Sequence, residues 1–239
     1  MEQMNEKIAK LKEIVAGSER MVFFGGAGVS TESGIPDFRS VDGLYNQKYT
    51  PETIISHSFY MRDPEEFYRF YKDKMIYQDA KPNMAHKKLA ELEAQGKLAV
   101  IVTQNIDGLH QMAGSKNVIE LHGSIHRNYC TKCHKFYDLD YIIQSDGVPK
   151  CSCGGIIKPD VVLYEEGLNN DDIENAIRYI SEADTLIIGG TSLVVYPAAG
   201  LIRYFRGKHL VVINMSPTQT DSQADLLIAD KIGKVLGQL

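Results

Sequence analysis

The stretch MVFFGGAGVSTESGIPDFRS, residues 21–40, begins as a run of apolar residues that leads into glycines. A dinucleotide-binding unit usually begins in this way, with the fingerprint G-x-G-x-x-G opening a helix and an acidic residue about 20 positions further on. Gly26 and Gly28 fit the fingerprint, whereas Thr31 stands in the place of the third glycine. The stretch therefore predicts a buried strand and a ligand-binding loop, but it departs from the usual dinucleotide site.

Length and composition predict a folded protein rather than a disordered chain. The 239 residues are 44% hydrophobic, which is enough for one large domain or for a large and a small one. The net charge is −5 and there is no long run of lysine and arginine, so we expect no nucleic-acid partner. No apolar run approaches the ~20 residues of a membrane span, so we expect no membrane association either.

The first 20 residues are too rich in charge to be a signal peptide, which predicts a cytoplasmic protein. In that compartment cysteines are metal ligands or free thiols more often than disulfides. No self-association motif stands out in the sequence, and we therefore expect a monomer.

Further apolar runs alternate with amphipathic segments along the chain. The runs LAVIVT (98–103), TLIIGG (185–190) and LVVIN (210–214) are continuous, as in strands that are buried on both faces. Ile8, Leu11, Ile14 and Val15 lie on one face of a predicted N-terminal helix. Further helices are predicted over 65–75, 84–95, 171–181 and 198–205. The pattern indicates an α/β fold with a mainly parallel sheet.

All four cysteines lie in a segment that interrupts this pattern. Their spacing is C-x2-C-x17-C-x-C, formed by Cys130, Cys133, Cys151 and Cys153, and it is typical of a zinc ribbon. The second pair is tighter than the usual C-x2-C, and the two glycines that follow it supply the backbone freedom that it needs. CTKCH also matches a c-type haem attachment site, but that site requires export and leaves the second pair unexplained. Four thiolates occupy all four coordination positions of a tetrahedral zinc ion, so we expect one structural zinc rather than a catalytic one.

Two polar clusters follow apolar strands and are candidates for the chemistry. Gln104, Asn105 and Asp107 come directly after the strand that ends at Thr103, and ligands of open α/β sheets bind beyond the carboxyl ends of strands. The alternative is that Asn105 and Asp107 only cap the next helix, which would explain one of them but not the set.

The second cluster contains His122, which lies between an apolar run and a glycine in VIELHGSIHRN. A histidine at a strand end can titrate near neutral pH and act as a general base. The six other histidines are interpreted as structural.

The sequence resembles the sirtuins, a family of NAD-dependent protein lysine deacylases. The resemblance rests on GAGVSTESGIPDFR, KPNMAH, TQNIDGLH, ELHGS, the cysteine pairs, KPDVVLYEE, GGTSLVVYPAA and VVIN, in family order along almost the whole chain. It implies a Rossmann-like parallel-sheet domain (1–34, 81–127 and 159–239) with an inserted small lobe. That lobe consists of a cofactor loop and helical module (35–80) and a zinc-ribbon module (128–158).

The resemblance also implies an activity. The protein would deacetylate acetylated lysine in proteins, consume NAD as co-substrate, and release nicotinamide and O-acetyl-ADP-ribose. The alternatives are mono-ADP-ribosylation of proteins, in which a protein nucleophile captures the activated ribose, and removal of longer neutral acyl groups.

Each motif position receives a role from the resemblance. Asn105 and Asp107, with Ile106 between them, would bind the nicotinamide carboxamide, and His122 would take a proton from a ribose hydroxyl. The NAD-contacting positions implied are Gly26, Ala27, Gly28, Ser30, Asp37, Phe38, Arg39, Tyr45, Gln104, Asn105, Ile106, Asp107, Gly190, Thr191, Ser192, Asn214 and Lys231. The substrate peptide would lie as an added strand along Val161, Val162, Leu163 and Tyr164, a mode that reads little side-chain sequence.

Two departures from family patterns concern the substrate. The common F-G-E form is replaced by Tyr164-Glu165-Glu166, which alters the charge beside the peptide and suggests a preference for basic flanking residues. Sirtuins that remove succinyl groups have a Tyr-x-x-Arg pair, whereas this chain has Tyr71 and Lys74. Lysine matches a carboxylate less well than the planar guanidinium of arginine, so we expect neutral acyl groups to be preferred.

Overall fold

The apolar run of residues 21–25 forms β1, the strand from which the main sheet is built in both directions. The computed structural model describes residues 2–37 and 50–239. In this part of the chain the strands are β1 (Met21–Gly25), β2 (Leu98–Thr103), β3 (Val118–Glu120), β4 (Gly123–Cys130), β5 (Phe136–Tyr137), β6 (Ile157–Val161), β7 (Thr185–Gly189), β8 (His209–Ile213) and β9 (Leu226–Ile228). The α-helices are α1 (Glu2–Gly17), α2 (Pro51–Ile54), α3 (His57–Arg62), α4 (Pro64–Lys74), α5 (Met84–Ala94), α6 (Leu109–Met112), α7 (Leu139–Gln144), α8 (Asn170–Glu182) and α9 (Ile232–Leu236).

Six strands form a parallel sheet in the order β3-β2-β1-β7-β8-β9. This is the order of a doubly wound nucleotide-binding fold, and it reverses between β1 and β7. Ligands of such sheets bind in the crevice beyond the carboxyl ends of the strands at that reversal. The Rossmann-like parallel sheet expected from the sequence is confirmed.

Both faces of the sheet are covered by helices, which explains the continuous apolar runs. Met21 and Phe23 pack into a core with α1, α5 and α9, whereas Val22 and Phe24 pack into the opposite core with α8. Every residue of β1 is buried. The predicted helix face of α1 is confirmed, because its four apolar residues belong to the first of these cores.

Helix predictions are confirmed where local signals are strong. Asn83 accepts a hydrogen bond from the Ala85 amide at 2.9 Å and starts α5, and Asp63 starts α4 by accepting from the Glu66 amide at 3.1 Å. The helix expected over 198–205 is present, but Ala198–Tyr204 forms a 3-10 helix rather than an α-helix. Gly200 in its interior lowers the propensity for a regular α-helix.

The smaller lobe combines the helices α2–α4 with the cysteine-containing segment. Its sheet is antiparallel, in the order β5-β4-β6. Phe67, Tyr68 and Tyr71 of α4 share one hydrophobic core with Tyr137 and Ile157 of the cysteine segment. The Tyr68 hydroxyl donates a hydrogen bond to the Ile157 carbonyl, which ties the two parts together. No helix in the described ranges is both long and apolar enough to cross a membrane.

The four cysteines converge at the end of this lobe. Their sulfur atoms all lie within 4.8 Å of one another, with Cys130 and Cys153 at 3.4 Å and Cys133 and Cys151 at 3.6 Å. A tetrahedral zinc with Zn–S bonds of about 2.3 Å places its sulfur ligands about 3.8 Å apart, so the group fits one zinc ion.

Local geometry explains how the short C-x-C pair reaches the same ion. Gly154 adopts a φ of +81°, which strains any other residue, and its amide donates to the Cys151 carbonyl at 2.9 Å. A Cβ at Gly155 would lie 2.6 Å from Cys130 Sγ, so only glycine allows the two loops to approach each other. The Tyr137 hydroxyl and the Cys153 amide donate hydrogen bonds to Cys151 Sγ at 3.0 and 3.5 Å, which stabilises the thiolate.

We expect Cys151→Ser to abolish stoichiometric zinc and to lower the melting temperature by roughly 6–12 °C, because the metal contributes directly to the folding of the small lobe. Zinc content by elemental mass spectrometry and thermal melting measure the two effects. Ser152→Ala, at the residue between the paired cysteines, is the matched control and retains one zinc per chain. A Cys151→Ser protein that still binds one zinc and melts at the wild-type temperature would contradict the assignment.

Candidate active site in the cleft between the lobes

The loops after β1 and β7 cross in direct backbone contact at the point where the strand order reverses. The Gly28 amide donates to the Gly190 carbonyl at 2.8 Å, and a Cβ on Gly28 would lie 2.8 Å from Gly190 Cα. Gly190 itself has a φ of +59°. A Cβ on Gly26 would lie 2.9 Å from Thr191 Cβ. Glycine is therefore required here for packing between the loops.

The chain beyond Gly26 forms two short 3-10 turns instead of one long helix. They span Ala27–Val29 and Thr31–Ser33. Thr31, in the place of the third fingerprint glycine, donates its hydroxyl to the Gly28 carbonyl at 3.0 Å. This contact favours a turn where a usual dinucleotide fold continues as a helix.

Ser30, Asn105 and Asp107 form one hydrogen-bonded group. The Ser30 hydroxyl donates to Asp107 Oδ2 at 2.6 Å, and the Asn105 amide nitrogen donates to Ser30 Oγ at 3.1 Å. Asp107 Oδ1 accepts from the Leu109 amide at 2.9 Å at the start of α6. The capping alternative thus explains one oxygen of Asp107, while the remaining contacts connect the strand end of β2 to the glycine loop.

His122 lies between β3 and β4, where the chain passes from the large sheet to the small one. Its Nδ1 is 3.0 Å from the Gln104 carbonyl oxygen. A carbonyl only accepts, so Nδ1 donates and Nε2 is the unprotonated nitrogen of the neutral ring. Burial lowers the pKa of His122, and the hydrogen bond to Gln104 opposes this effect. The imidazole is therefore neutral at pH 7 and able to accept a proton.

Thr191 connects the ends of β2, β7 and β8. Gln104 Nε2 donates to Thr191 Oγ1 at 3.0 Å, and Asn214 Nδ2 donates to the Thr191 carbonyl at 3.1 Å. These contacts fix the side chains of Gln104 and Asn214 on the two sides of the strand reversal.

A cavity of about 620 Å³ lies between the two lobes. The structure places these residues proposed from the sequence on its walls: Gly26, Ala27, Gly28, Ser30, Asp37, Gln104, Asn105, Ile106, Asp107, His122, Val161, Val162, Leu163, Tyr164, Gly190, Thr191, Ser192, Asn214 and Lys231. Phe38, Arg39 and Tyr45 lie outside the described residues. One cleft therefore brings together positions that are scattered over most of the chain.

Several lining residues carry no sequence signal of their own. Ile55, Met75 and Tyr77 come from the helical part of the small lobe, and Tyr196 and Met215 come from loops of the large domain. In the sequence these residues cannot be distinguished from ordinary core positions, because only the packing of one lobe against the other directs them into a shared cavity. Tyr71 and Lys74 also line it.

Segment 161–164 lies along one wall of the cavity, and its amides from Val162 to Tyr164 donate hydrogen bonds within the protein. The Val162 amide donates to the His122 carbonyl at 3.0 Å, and the Tyr164 amide donates to the Ile55 carbonyl at 3.0 Å. The Leu163 amide donates to Glu166 Oε2 at 2.9 Å. The segment is therefore bonded both to His122, between β3 and β4, and to the helical part of the small lobe.

Two of the histidines interpreted as structural, His86 and His110, form a buried pair. The rings of His86 and His110 lie 4.7 Å apart between centroids. Burial lowers the pKa of His86 to about 4 and that of His110 to about 3, so both are neutral at pH 7. His86 Nδ1 accepts from the Asn83 amide at 3.2 Å and belongs to the cap of α5.

Comparison with known proteins agrees with this geometry. A model of the Sir2 family matches residues 26–197. An NAD-dependent protein deacetylase from Clostridium perfringens (strain 13 / Type A) is 68% identical over 242 residues, which cover 99% of each chain.

Solved Sir2 structures share the fold over nearly the whole length. A Sir2–p53 peptide–NAD+ complex is 40% identical with a TM-score of 0.87, covering 96% of this chain and 95% of that one. A Sir2 variant with a deacetylated p53 peptide and 3′-O-acetyl ADP ribose is 40% identical with a TM-score of 0.89, covering 97% and 96%. Since both the sequence and the fold match over almost all of its residues, the chain belongs to the Sir2 family, the sirtuins.

Proposed function

We propose that the protein is an NAD-dependent protein lysine deacetylase, which converts NAD, an acetyl-lysine protein and one water to nicotinamide, deacetylated lysine and O-acetyl-ADP-ribose. The observation that supports this most strongly is the single cleft that joins the glycine loops, the Ser30–Asn105–Asp107 group and a neutral His122. The deacetylase relative and the Sir2 complexes with NAD+ and with 3′-O-acetyl ADP ribose support the same reaction.

The residues present fit NAD as co-substrate. The glycine loops after β1 and β7 both line the cavity, and a pyrophosphate would bind along this wall. Asn214 and Lys231 lie on the large-domain wall, where the adenosine half would bind. NAD supplies the ribose that accepts the acyl group, and it is consumed in doing so.

The polar group at the end of β2 would act on the nicotinamide half. Asn105 and Asp107 are held by Ser30 and can present an amide and a carboxylate to the nicotinamide carboxamide. This contact would orient the leaving group while the acyl oxygen attacks the ribose carbon. Preorganised polar groups lower the barrier because they need no rearrangement during the reaction.

His122 would then act as the general base. Because Nδ1 donates its hydrogen to the Gln104 carbonyl, the unprotonated Nε2 can accept the proton of a ribose hydroxyl. Loss of that proton would allow the hydroxyl oxygen to attack the acyl carbon. Water would then add to the same carbon, the bond from it to the lysine nitrogen would break, and the protonated amine would leave while the ribose keeps the acetyl group. The acylated peptide would lie along segment 161–164, whose backbone bond to His122 brings the substrate to the base. We also propose that the chain acts on protein rather than on nucleic acid, which its net charge of −5 supports, and that it acts as a monomer, since no self-association motif stands out in its sequence.

We expect His122→Ala to reduce kcat for deacetylation by about 100-fold or more, because a positioned general base typically contributes that factor. Mass spectrometry of an acetyl-lysine peptide with and without NAD detects deacetylated peptide, nicotinamide and O-acetyl-ADP-ribose together. His209→Ala, at the start of β8 and away from the cavity, is the control and retains wild-type activity. Consumption of NAD with an unchanged peptide and ADP-ribose added to protein would replace this function by mono-ADP-ribosylation.

The lowered pKa of His122 sets the pH dependence. A general base works in its neutral form, so kcat/KM is constant above its pKa and falls as pH decreases through it. Because burial lowers that pKa below the ordinary value of about 6.5, we expect the acid limb of the kcat/KM profile below pH 6.5. Circular dichroism at each pH monitors folding, since protonation of His86 and His110 removes stability as pH falls from 6.5 towards 4. An acid limb above pH 7 in folded protein would contradict the assignment.

We expect the acyl preference to depend on Tyr71 and Lys74, which line the cavity. Lys74 pairs with Asp73 at 3.0 Å, and the buried Tyr71 hydroxyl has no hydrogen-bond partner in the described ranges. We expect kcat/KM of the wild-type enzyme to be about 10-fold or more higher for an acetyl peptide than for a succinyl peptide. Lys74→Arg should raise kcat/KM for the succinyl peptide, because a guanidinium binds a carboxylate through two hydrogen bonds. Lys72→Arg, on the same helix with its ammonium bonded to the Ser145 and Gly147 carbonyls, is the control. Equal rates on both peptides for the wild-type enzyme would refute the preference.

A further inference from the structure

The chain makes a strained turn directly after the proposed substrate segment. The Glu166 amide donates to the Leu163 carbonyl at 3.0 Å, which closes a four-residue turn. Its third residue, Glu165, has a φ of +77°. This position favours glycine, and the left-handed conformation costs another residue about 1–2 kcal/mol. A side chain at this position must therefore contribute something that glycine does not.

The Glu165 carboxylate binds the start of α3 with both oxygens. The Ser58 amide donates to Oε2 at 2.8 Å, and the Ser58 hydroxyl donates to Oε1 at 2.9 Å. Ser58 is the second residue of α3, so its amide is one of the N–H groups that have no partner within the helix. A carboxylate at this end also interacts favourably with the helix dipole.

Backbone contacts continue the same connection. Ser56 and Tyr164 form a parallel bridge, in which the Tyr164 amide donates to the Ile55 carbonyl and the His57 amide donates to the Tyr164 carbonyl, both at 3.0 Å. Glu166 adds a contact of 2.8 Å to His57 Nδ1. The turn is therefore attached to residues 55–58 by backbone hydrogen bonds of Tyr164 and by the side chains of Glu165 and Glu166.

On its other side, the segment is attached to the strand that begins after His122. The Val162 amide donates to the His122 carbonyl at 3.0 Å, and residues 161–166 line the cavity. The position of this wall relative to the catalytic base thus depends on two attachments. One is the hydrogen bond between the Val162 amide and the His122 carbonyl, and the other is the connection to residues 55–58, which includes the Glu165 carboxylate.

We propose that Glu165 is a positioning residue for the acylated peptide: by joining α3 to segment 161–164, it holds that segment in the extended shape along which the peptide binds. This inference rests on the proposed function. Because both carboxylate oxygens are bonded to Ser58, the charge of Glu165 acts on α3 before it acts on residues flanking the acyl-lysine. Glu165 therefore sets affinity for the peptide and not for NAD.

The test compares Glu165→Gly, Glu165→Gln and Ser58→Ala with the wild type. Glu165→Gly removes the attachment and relieves the backbone strain, whereas Glu165→Gln preserves one acceptor without the charge. Glu182→Gln is the matched control, because Glu182 is also a hydrogen-bonded carboxylate, paired with Arg20 at 2.6 Å, but it does not line the cavity. Binding of a fluorescent acetyl-lysine peptide gives Kd without turnover, and steady-state assays give kcat and both KM values.

We expect Glu165→Gly to raise the Kd and KM for the peptide about fivefold, with kcat and the KM for NAD within about twofold of wild type. Glu165→Gln should give a smaller increase, and Ser58→Ala should add nothing in the Glu165→Gly background because the two residues share one interaction. A purely structural role would instead lower the apparent kcat through loss of folded protein and leave the Kd and both KM values unchanged.

Other results would overturn the inference. Unchanged peptide affinity in Glu165→Gly would do so, as would an equal rise in the KM for NAD. A loss in Glu165→Gln confined to peptides with basic flanks would show that the carboxylate contacts the substrate directly. If the wild-type protein performs no NAD-dependent deacetylation, the proposed function fails together with this inference, whereas deacetylation with unaltered Glu165→Gly affinity refutes the inference alone.

Discussion

The structure depends first on the contact between the loops that follow β1 and β7. The hydrogen bond from Gly28 to Gly190 and the absence of side chains at both positions let two loops from distant parts of the chain cross at the strand reversal. From this crossing Ser30 reaches Asn105 and Asp107, and Thr191 reaches Gln104 and Asn214. A substituent on either glycine would separate the loops and disturb every one of these bonds, because close-packed backbone has no space to relax into.

The second wall of the cleft is supplied by the small lobe, whose position relative to the sheet is set where β4 and β6 leave the large domain. Gly123 pairs with Val161 at that point, and a Cβ on Gly123 would lie 1.8 Å from the Asp160 carbonyl oxygen. His122 immediately precedes this pair. The proposed base therefore lies at the joint between the lobes, where a small lobe stabilised by zinc and by the aromatic residues of α4 determines how the acyl group meets the ribose.

The sequence was most informative where one residue type is dictated by local chemistry. The buried strands and the convergence of Cys130, Cys133, Cys151 and Cys153 both follow from patterns with a direct physical cause. The short strands β3 and β9 depend on tertiary packing that overrides local preference. The same holds for the cleft: polar positions after strands were visible in advance, whereas Ile55, Met75 and Tyr77 face it only because the lobes pack together.

The central place of β1 has a consequence for the order in which the protein folds. Met21 pairs with Leu98 on one side and with Thr185 on the other, so the strand made first needs a partner that is made near the end of synthesis. Contacts between such distant residues slow folding, because closing a long loop costs conformational entropy before the strand pairing can stabilise the chain. A chain interrupted before β7 exposes an unpaired apolar strand edge at the middle of its sheet, which favours aggregation. The protein must therefore complete its large domain as a unit, and it offers few positions at which the chain can be divided.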